Sequence, residues 1–111
     1  VAATNVSYDV DYASALHVFG AIDEDGKFRF GTSGNDLALT WVTTSIDAQW
    51  ICLKIDRDST DQRLLLVLED AGSVKLYESV DRGGSWTLAD TIGTGTKPFI
   101  FIGKDGVRHI Y

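Results

Sequence analysis

The order of apolar and polar residues follows the two-residue period of β-strands along most of the chain. Near the start, Val6, Tyr8 and Val10 alternate with Ser7 and Asp9. Alternation of this kind is typical of a strand with one buried face. The sequence therefore predicts a half-buried first strand, with its apolar side chains turned towards a core.

The same pattern predicts strands in the rest of the chain and no helix. The run Leu64–Leu68 is apolar at every position, which is typical of a short strand buried on both faces. Glycine and aspartate clusters between the strands indicate turns. The further predicted strands cover residues 15–19, 27–30, 40–44, 50–55, 64–68, 74–77, 99–102 and 107–111, and one more begins at residue 86. The fold class that we predict is all-β.

The predicted strands repeat as a unit. Gly26–Ser33 aligns with Gly72–Ser79 at a spacing of 46 residues, and Trp41 lies 45 residues before Trp86. A period in the forties with four strands per unit is typical of a β-propeller blade. We predict a single propeller segment of antiparallel blades that is incomplete in one chain. Its parts are residues 1–5 as the outer strand of a shared blade, 6–44 and 45–92 as two blades, and 93–111 as the inner strands of a further blade.

One octapeptide between two predicted strands, residues 79–86, combines the residues of a tight turn. Asp81 can accept hydrogen bonds from backbone N–H groups of its own turn, Gly83 allows a positive φ, and Trp86 can cover the turn. Residues 79–86 resemble the Asp-box, or BNR repeat, whose pattern is Ser-x-Asp-x-Gly-x-Thr/Ser-Trp. A degenerate first copy, residues 33–41, lacks the glycine and carries an insertion.

The resemblance is to Asp-box β-propellers, the group that includes sialidase-like and sortilin-like propellers. It implies that these turns join the third and fourth strands of a blade, on the side opposite the central binding site, and that they build structure rather than catalyse. The residues to which it assigns this structural role are Ser79, Asp81, Gly83, Ser85 and Trp86 in the second copy and Ser33, Asn35 and Trp41 in the first.

Charge and composition exclude several classes of partner. The 111 residues include 16 acidic and 10 basic side chains, and the formal charge of −6 disfavours nucleic acid and anionic membrane surfaces. The single cysteine, Cys52, excludes an intrachain disulfide, and two histidines far apart do not make a zinc site. We therefore expect no metal and no cofactor.

The arginines argue against the enzyme that the resemblance suggests. Sialidases of this type hold the substrate carboxylate with three arginines and use a tyrosine nucleophile. Only Arg63 and Arg108 lie on predicted second strands. We predict a non-catalytic binding or structural module, and by analogy its ligand is a glycan. The alternatives are a fragment of a sialidase-type exo-glycosidase and a structural component of a phage or extracellular assembly. The resemblance alone favours an extracellular or virion-associated location.

Five residues are candidates for ligand binding. Tyr8 and Trp50 lie near the starts of predicted innermost strands, where an aromatic ring can stack on a sugar, although core packing between blades is an alternative role for both. Asp47 lies in a predicted connection on the same side. Arg63 and Arg108 complete the set.

An open stack of two and a half blades leaves sheet faces uncovered, so the chain is expected to associate. Leu64, Leu66, Phe99, Ile100 and Phe101 would then face water. We expect self-association, with a dimer preferred, or completion by the remaining blades of a larger chain.

Overall fold

The computed structural model describes residues 6–11, 16–33, 41–56, 63–102 and 108–111. All regular structure in these residues is β-strand, and the prediction of an all-β fold is confirmed. The described part of the chain has no helix that is long and apolar enough to cross a membrane. The predicted outer strand at residues 1–5 lies outside the described residues, as does Asn35.

The strands form three antiparallel sheets, each in chain order. Sheet 1 contains β1 (Val6–Asp11), β2 (Leu16–Ile22), β3 (Lys27–Ser33) and β4 (Val42–Asp47). Sheet 2 contains β5 (Trp50–Ile55), β6 (Leu64–Asp70), β7 (Ser73–Ser79) and β8 (Thr87–Thr94). Sheet 3 contains β9 (Ile100–Ile102) and β10 (Arg108–Ile110).

Strand β4 is predicted at residues 40–44 and is observed at Val42–Asp47, and a bulge interrupts its pairing with β3 between Arg29 and Lys27. Thr44 fills this bulge: its hydroxyl donates to the carbonyl of Phe28 (2.7 Å) and accepts from the N–H of Ile46 (3.2 Å). The bulge shifts the register so that Lys27 pairs with Asp47 at the end of the sheet.

Two apolar cores lie on opposite sides of sheet 2. Leu64, Leu66 and Leu68 of β6 point into the core between sheets 1 and 2, whereas Leu65 and Val67 point into the core shared with sheet 3. The apolar run in β6 is therefore buried on both faces, as the sequence predicts.

The expectation that Leu64, Leu66 and Ile100 face water is wrong. All three are almost fully buried, because sheet 1 covers one face of β6 and Ile100 packs onto the other core from sheet 3. Phe99 does remain about half exposed, at 48%. The side chain of Phe101 lies outside the described part of the structure.

Strand β1 turns its polar side chains, not its apolar ones, towards sheet 2. The Ser7 hydroxyl oxygen accepts from the backbone N–H of Leu53 (2.9 Å), and the Asp9 carboxylate accepts from that of Ile55 (2.8 Å). Val6 and Tyr8 point the other way and are 63% and 46% exposed. The predicted buried apolar face of β1 is therefore wrong. The reason is that β5 forms an edge of sheet 2, so its outward N–H groups need acceptors, which β1 supplies.

Sheets 1 and 2 come together closely at Gly20, which pairs with Ser7 in the β1–β2 register. A Cβ at this position would lie 3.1 Å from Ile51 Cδ1 and 3.3 Å from Leu53 Cδ2, both on sheet 2. The absence of a side chain at residue 20 therefore lets the core of sheet 2 reach the backbone of β2.

Candidate functional site

The turn of residues 79–86 joins β7 to β8, the third and fourth strands of sheet 2. Asp81 is its centre. One carboxylate oxygen accepts from the Ser79 hydroxyl and from the Ser85 backbone N–H, and the other accepts from the Ser85 hydroxyl, each at 2.8 Å. These bonds favour the ionised carboxylate, so they hold the pKa of Asp81 below its ordinary value of 3.8.

Ser79 and Gly83 complete the turn from inside. The Ser79 hydroxyl oxygen is buried and accepts from the backbone N–H of Gly83 (2.8 Å) while its proton goes to Asp81. The chain then passes through positive φ at Arg82 (57°) and Gly83 (91°). The hydrogen bonds among Ser79, Asp81 and Ser85 therefore hold the turn in its shape.

The 79–86 turn contacts sheet 1 as well as its own sheet, sheet 2. The Trp86 ring meets Phe28 and Phe30 edge-to-face, with centroids 5.3 and 5.6 Å apart. A Cβ on Gly83 would lie only 2.1 Å from Phe30 Cε2, so the Phe30 ring rests directly on the glycine backbone. The turn therefore joins two sheets through a cluster of aromatic rings.

The corresponding segment of sheet 1 is described only in part. Ser33 ends β3, and its side chain lies outside the described structure, as does the whole of Asn35. Trp41, directly before β4, is about 40% exposed, and the Arg29 guanidinium lies 5.9 Å from its ring centroid. Trp41 is thus more open to solvent than Trp86.

A different group of side chains gathers at the opposite end of sheet 2, where Trp50 begins β5 and pairs with Glu69 of β6. The Lys97 ammonium lies 5.6 Å from the centroid of the Trp50 ring, and the Lys97 backbone N–H donates to the Glu69 carboxylate (3.2 Å). The Gln49 side-chain oxygen accepts from the backbone N–H of Ala71. We call Gln49, Trp50, Glu69 and Lys97 the Trp50 cluster.

The Trp50 cluster combines one aromatic surface with an amide, a carboxylate and an ammonium group. The Trp50 indole is half-buried, and an aromatic surface beside a few hydrogen-bonding groups is typical of small-molecule sites. Trp50 is a predicted site residue, whereas no pattern in the sequence identifies Gln49 and Lys97 as its neighbours. The antiparallel pairing across residues 56–63 would have placed Glu69 beside Trp50, whereas Lys97 reaches the ring only through the turn that follows β8.

The other candidate residues do not join this cluster. Asp47 forms an ion pair with Lys27 at the end of sheet 1, which raises the pKa of the Lys27 amine. Arg63 precedes β6 and lies 3.7 Å from the Glu78 carboxylate, at the end of sheet 2 that carries the 79–86 turn. Trp50 and Arg63 therefore lie at opposite ends of one sheet.

Tyr8 and Arg108 are also separate. Tyr8 lies on the face of β1 that points away from sheet 2, where its hydroxyl is 2.9 Å from His17 Nδ1 and its ring is 4.7 Å from that of Phe19. Arg108 pairs with Ile102 at the start of β10, and its side chain is outside the described structure.

Two further observations concern metals and thiol chemistry. Among the described residues, no group of three or more histidine, cysteine, aspartate or glutamate side chains is arranged to hold a metal ion.

Cys52 is buried in the core between sheets 2 and 3. A buried thiol in apolar surroundings is a poor nucleophile.

Comparison of the chain with protein-family models, with curated proteins and with solved structures gives no match.

Proposed function

We propose that this chain is a segment of an Asp-box β-propeller that acts as a non-catalytic binding module for a neutral glycan. The propeller part of the proposal is supported by the order of the sheets. Sheet 2 packs between sheets 1 and 3, and β1 lies beside β5 through Ser7 and Asp9. First strands that neighbour one another are what blades around a common axis require.

The Asp-box part rests on the 79–86 turn. It lies between the third and fourth strands of its sheet, and Asp81 accepts three hydrogen bonds within it. Trp86 and Gly83 contact the sheet that precedes it in the chain. In this proposal the turn fixes neighbouring blades to each other, and the ligand binds at the other end of the sheets.

The glycan part rests on one observation, the Trp50 cluster. A pyranose ring would stack on the exposed part of the Trp50 indole while its hydroxyls bonded to Glu69 and Gln49. Asp70, which follows Glu69 in β6, is paired with Lys75 (3.3 Å), and the Lys97 ammonium lies beside the Trp50 ring. The local charge therefore suits an uncharged ligand better than an anionic one.

The arginines do not favour the glycosidase alternative. Arg29 lies over Trp41 in sheet 1, while Arg63 pairs with Glu78 in sheet 2. An exo-sialidase needs its arginines on a single carboxylate, and these two are engaged with different groups on different sheets.

A glycan array followed by titration of the best neutral oligosaccharide tests the proposal. We expect binding that quenches tryptophan fluorescence and that Trp50→Ala weakens by about tenfold or more, since loss of one stacking aromatic costs roughly 1–3 kcal/mol. Trp41→Ala is the matched control, because it removes a partly exposed indole elsewhere and should leave affinity unchanged.

Two results would count against this function. If Trp41→Ala and Trp50→Ala weakened binding equally, the Trp50 cluster would not be the site. If a fluorogenic sialoside were hydrolysed by the purified chain, and Arg63→Ala abolished that hydrolysis, the glycosidase alternative would replace the binding module.

A further inference from the structure

Sheet 1 has one face on which no described strand packs. Its residues in β1 and β2 are Val6, Tyr8, His17, Phe19 and Ala21, which we call the head face. Val6 and Tyr8 are 63% and 46% exposed, and the rings of Tyr8 and Phe19 lie 4.7 Å apart. The opposite face of the same strands, which carries Ser7 and Gly20, contacts sheet 2.

The pairing register shows what this face corresponds to in the next sheet. Tyr8 pairs with Phe19 in the middle of β1–β2, and Leu53 pairs with Leu66 at the same place in β5–β6. Leu53 and Leu66 are fully buried against sheet 1. The head face of sheet 1 therefore corresponds to the face of sheet 2 that carries Leu53 and Leu66. In sheet 2 that face is covered by a neighbouring sheet.

The polar groups of the head face are compatible with burial. The Tyr8 hydroxyl is within hydrogen-bond distance of His17 Nδ1 (2.9 Å), so a covering sheet would not leave that hydroxyl without a partner. Burying Tyr8, Phe19 and Val6 removes apolar surface from water, which is the main driving force of association.

A complementary face exists at the other end of the stack. Ile100 and Ile110 of sheet 3 pack against sheet 2, so the residues that alternate with them, Phe99, His109 and Tyr111, belong to the other side of sheet 3, which we call the tail face. The ring of Phe99 also lies 5.8 Å from the Lys54 ammonium of sheet 2. Phe99 and Tyr111 exchange two backbone hydrogen bonds (3.0 and 2.8 Å) and are 48% and 77% exposed. The inner side of sheet 3 already contacts sheet 2. Only the tail face of sheet 3 is therefore left to contact another sheet.

We propose that the head face binds the tail face of a second copy of this chain. Within one chain, sheet 1 packs on sheet 2 and sheet 2 packs on sheet 3. In the proposed contact, sheet 3 of the second copy packs on the free face of sheet 1 in the same way. Two such contacts, related by a two-fold axis, close a ring of two chains. The inference rests on the blade arrangement of the proposed function, and it is independent of the ligand.

Light scattering after size-exclusion chromatography and sedimentation equilibrium test this contact on the 111-residue chain. We expect twice the chain mass of 12.1 kDa. Tyr8→Glu should raise the dimer dissociation constant by roughly 30-fold or more, because the contact would lose the aromatic ring and would have to bury a carboxylate. Tyr8→Phe keeps the aromatic surface and should keep the dimer.

Leu88→Glu is the matched control, because Leu88 is an exposed apolar residue of β8, at 48%, outside both faces. It should leave the dimer intact. Far-ultraviolet circular dichroism on each variant separates a lost contact from a lost fold. A folded Tyr8→Glu variant that dimerises like the wild type would overturn the proposal, as would a wild-type chain that is a folded monomer at millimolar concentration.

Mixing two variants distinguishes head-to-tail from head-to-head association. Tyr8→Glu and Tyr111→Glu each retain one intact face, so each alone should be monomeric, while their equimolar mixture should form a heterodimer through one contact. If Tyr111→Glu alone remained dimeric, the head face would bind another head face, and the proposed occupant would be wrong. Glycan binding by a monomeric chain would leave the proposed function standing without this contact.

Discussion

Substitution of Gly83 tests the contact between the 79–86 turn and sheet 1. Gly83→Ala meets two obstacles: a φ of +91° and a new Cβ that would lie 2.1 Å from Phe30 Cε2 and 2.7 Å from Phe30 Cζ. A side chain in the left-handed region costs about 1–2 kcal/mol. Displacing a packed ring costs about 1–3 kcal/mol more. We therefore expect the free energy of unfolding to fall by about 2–5 kcal/mol.

Gly72→Ala supplies the matched control. Gly72 has a φ of +83° in the turn between β6 and β7, and nothing lies within 4 Å of the Cβ that would be added. Gly72→Ala introduces the backbone strain but no steric contact. We therefore expect it to lower the free energy of unfolding by about 1–2 kcal/mol. The difference between the two glycine variants measures the contact between the turn and Phe30.

Urea unfolding followed by tryptophan fluorescence gives both values at one fixed protein concentration, which is needed if the chain associates. Phe30→Ala removes the Cε2, Cζ and Cδ2 atoms that the new Cβ would meet at 2.1, 2.7 and 2.8 Å. In that background Gly83→Ala should cost no more than Gly72→Ala. Equal costs in the wild-type background, within about 0.5 kcal/mol, would refute the packing of this turn on sheet 1.

Two further predictions concern hydrogen bonds. Because folding lowers the pKa of Asp81, its contribution to stability is complete above the ordinary value of 3.8 and is lost as the pH falls through the lowered one. Urea unfolding measures the difference in the free energy of unfolding between wild type and Asp81→Asn, and this difference should become smaller as the pH falls from about 5 to about 2. A difference that does not change with pH would contradict the bonds from Ser79 and Ser85. Ser7→Ala should cost about 1–3 kcal/mol by removing the acceptor of the Leu53 N–H, and an effect no larger than that of the exposed Ser45→Ala would contradict this bond.

The positions of the strands could be predicted from the sequence, but the direction in which each face points could not. The run Leu64–Leu68 shows burial on both sides without any structural information, since no polar residue interrupts it. The alternation of Val6 and Tyr8 with Ser7 gives the period of β1 but not its orientation. In this protein the polar side is turned inwards because the edge of β5 needs hydrogen-bond acceptors.

Part of the Trp50 cluster could likewise be predicted from the sequence. Trp50 stands out because a large aromatic residue begins a strand, and its partner Glu69 follows from antiparallel pairing. Lys97 could not be found in this way, since it reaches Trp50 from a turn 47 residues later in the chain. Arg63 is a candidate because of its predicted place on a second strand, and the structure puts it and Trp50 at opposite ends of sheet 2.

The contact of Trp86 and Gly83 with Phe30 also has a consequence for synthesis on the ribosome. Phe30 leaves the ribosome 56 residues before Trp86, and at about 5–20 residues per second this interval lasts roughly 3–11 s. During that time the aromatic face of sheet 1 lacks the rings and glycine backbone that later cover it. The first sheet therefore reaches its final packing only when the second is nearly complete, and a nascent chain stalled between them exposes Phe28 and Phe30 to chaperones.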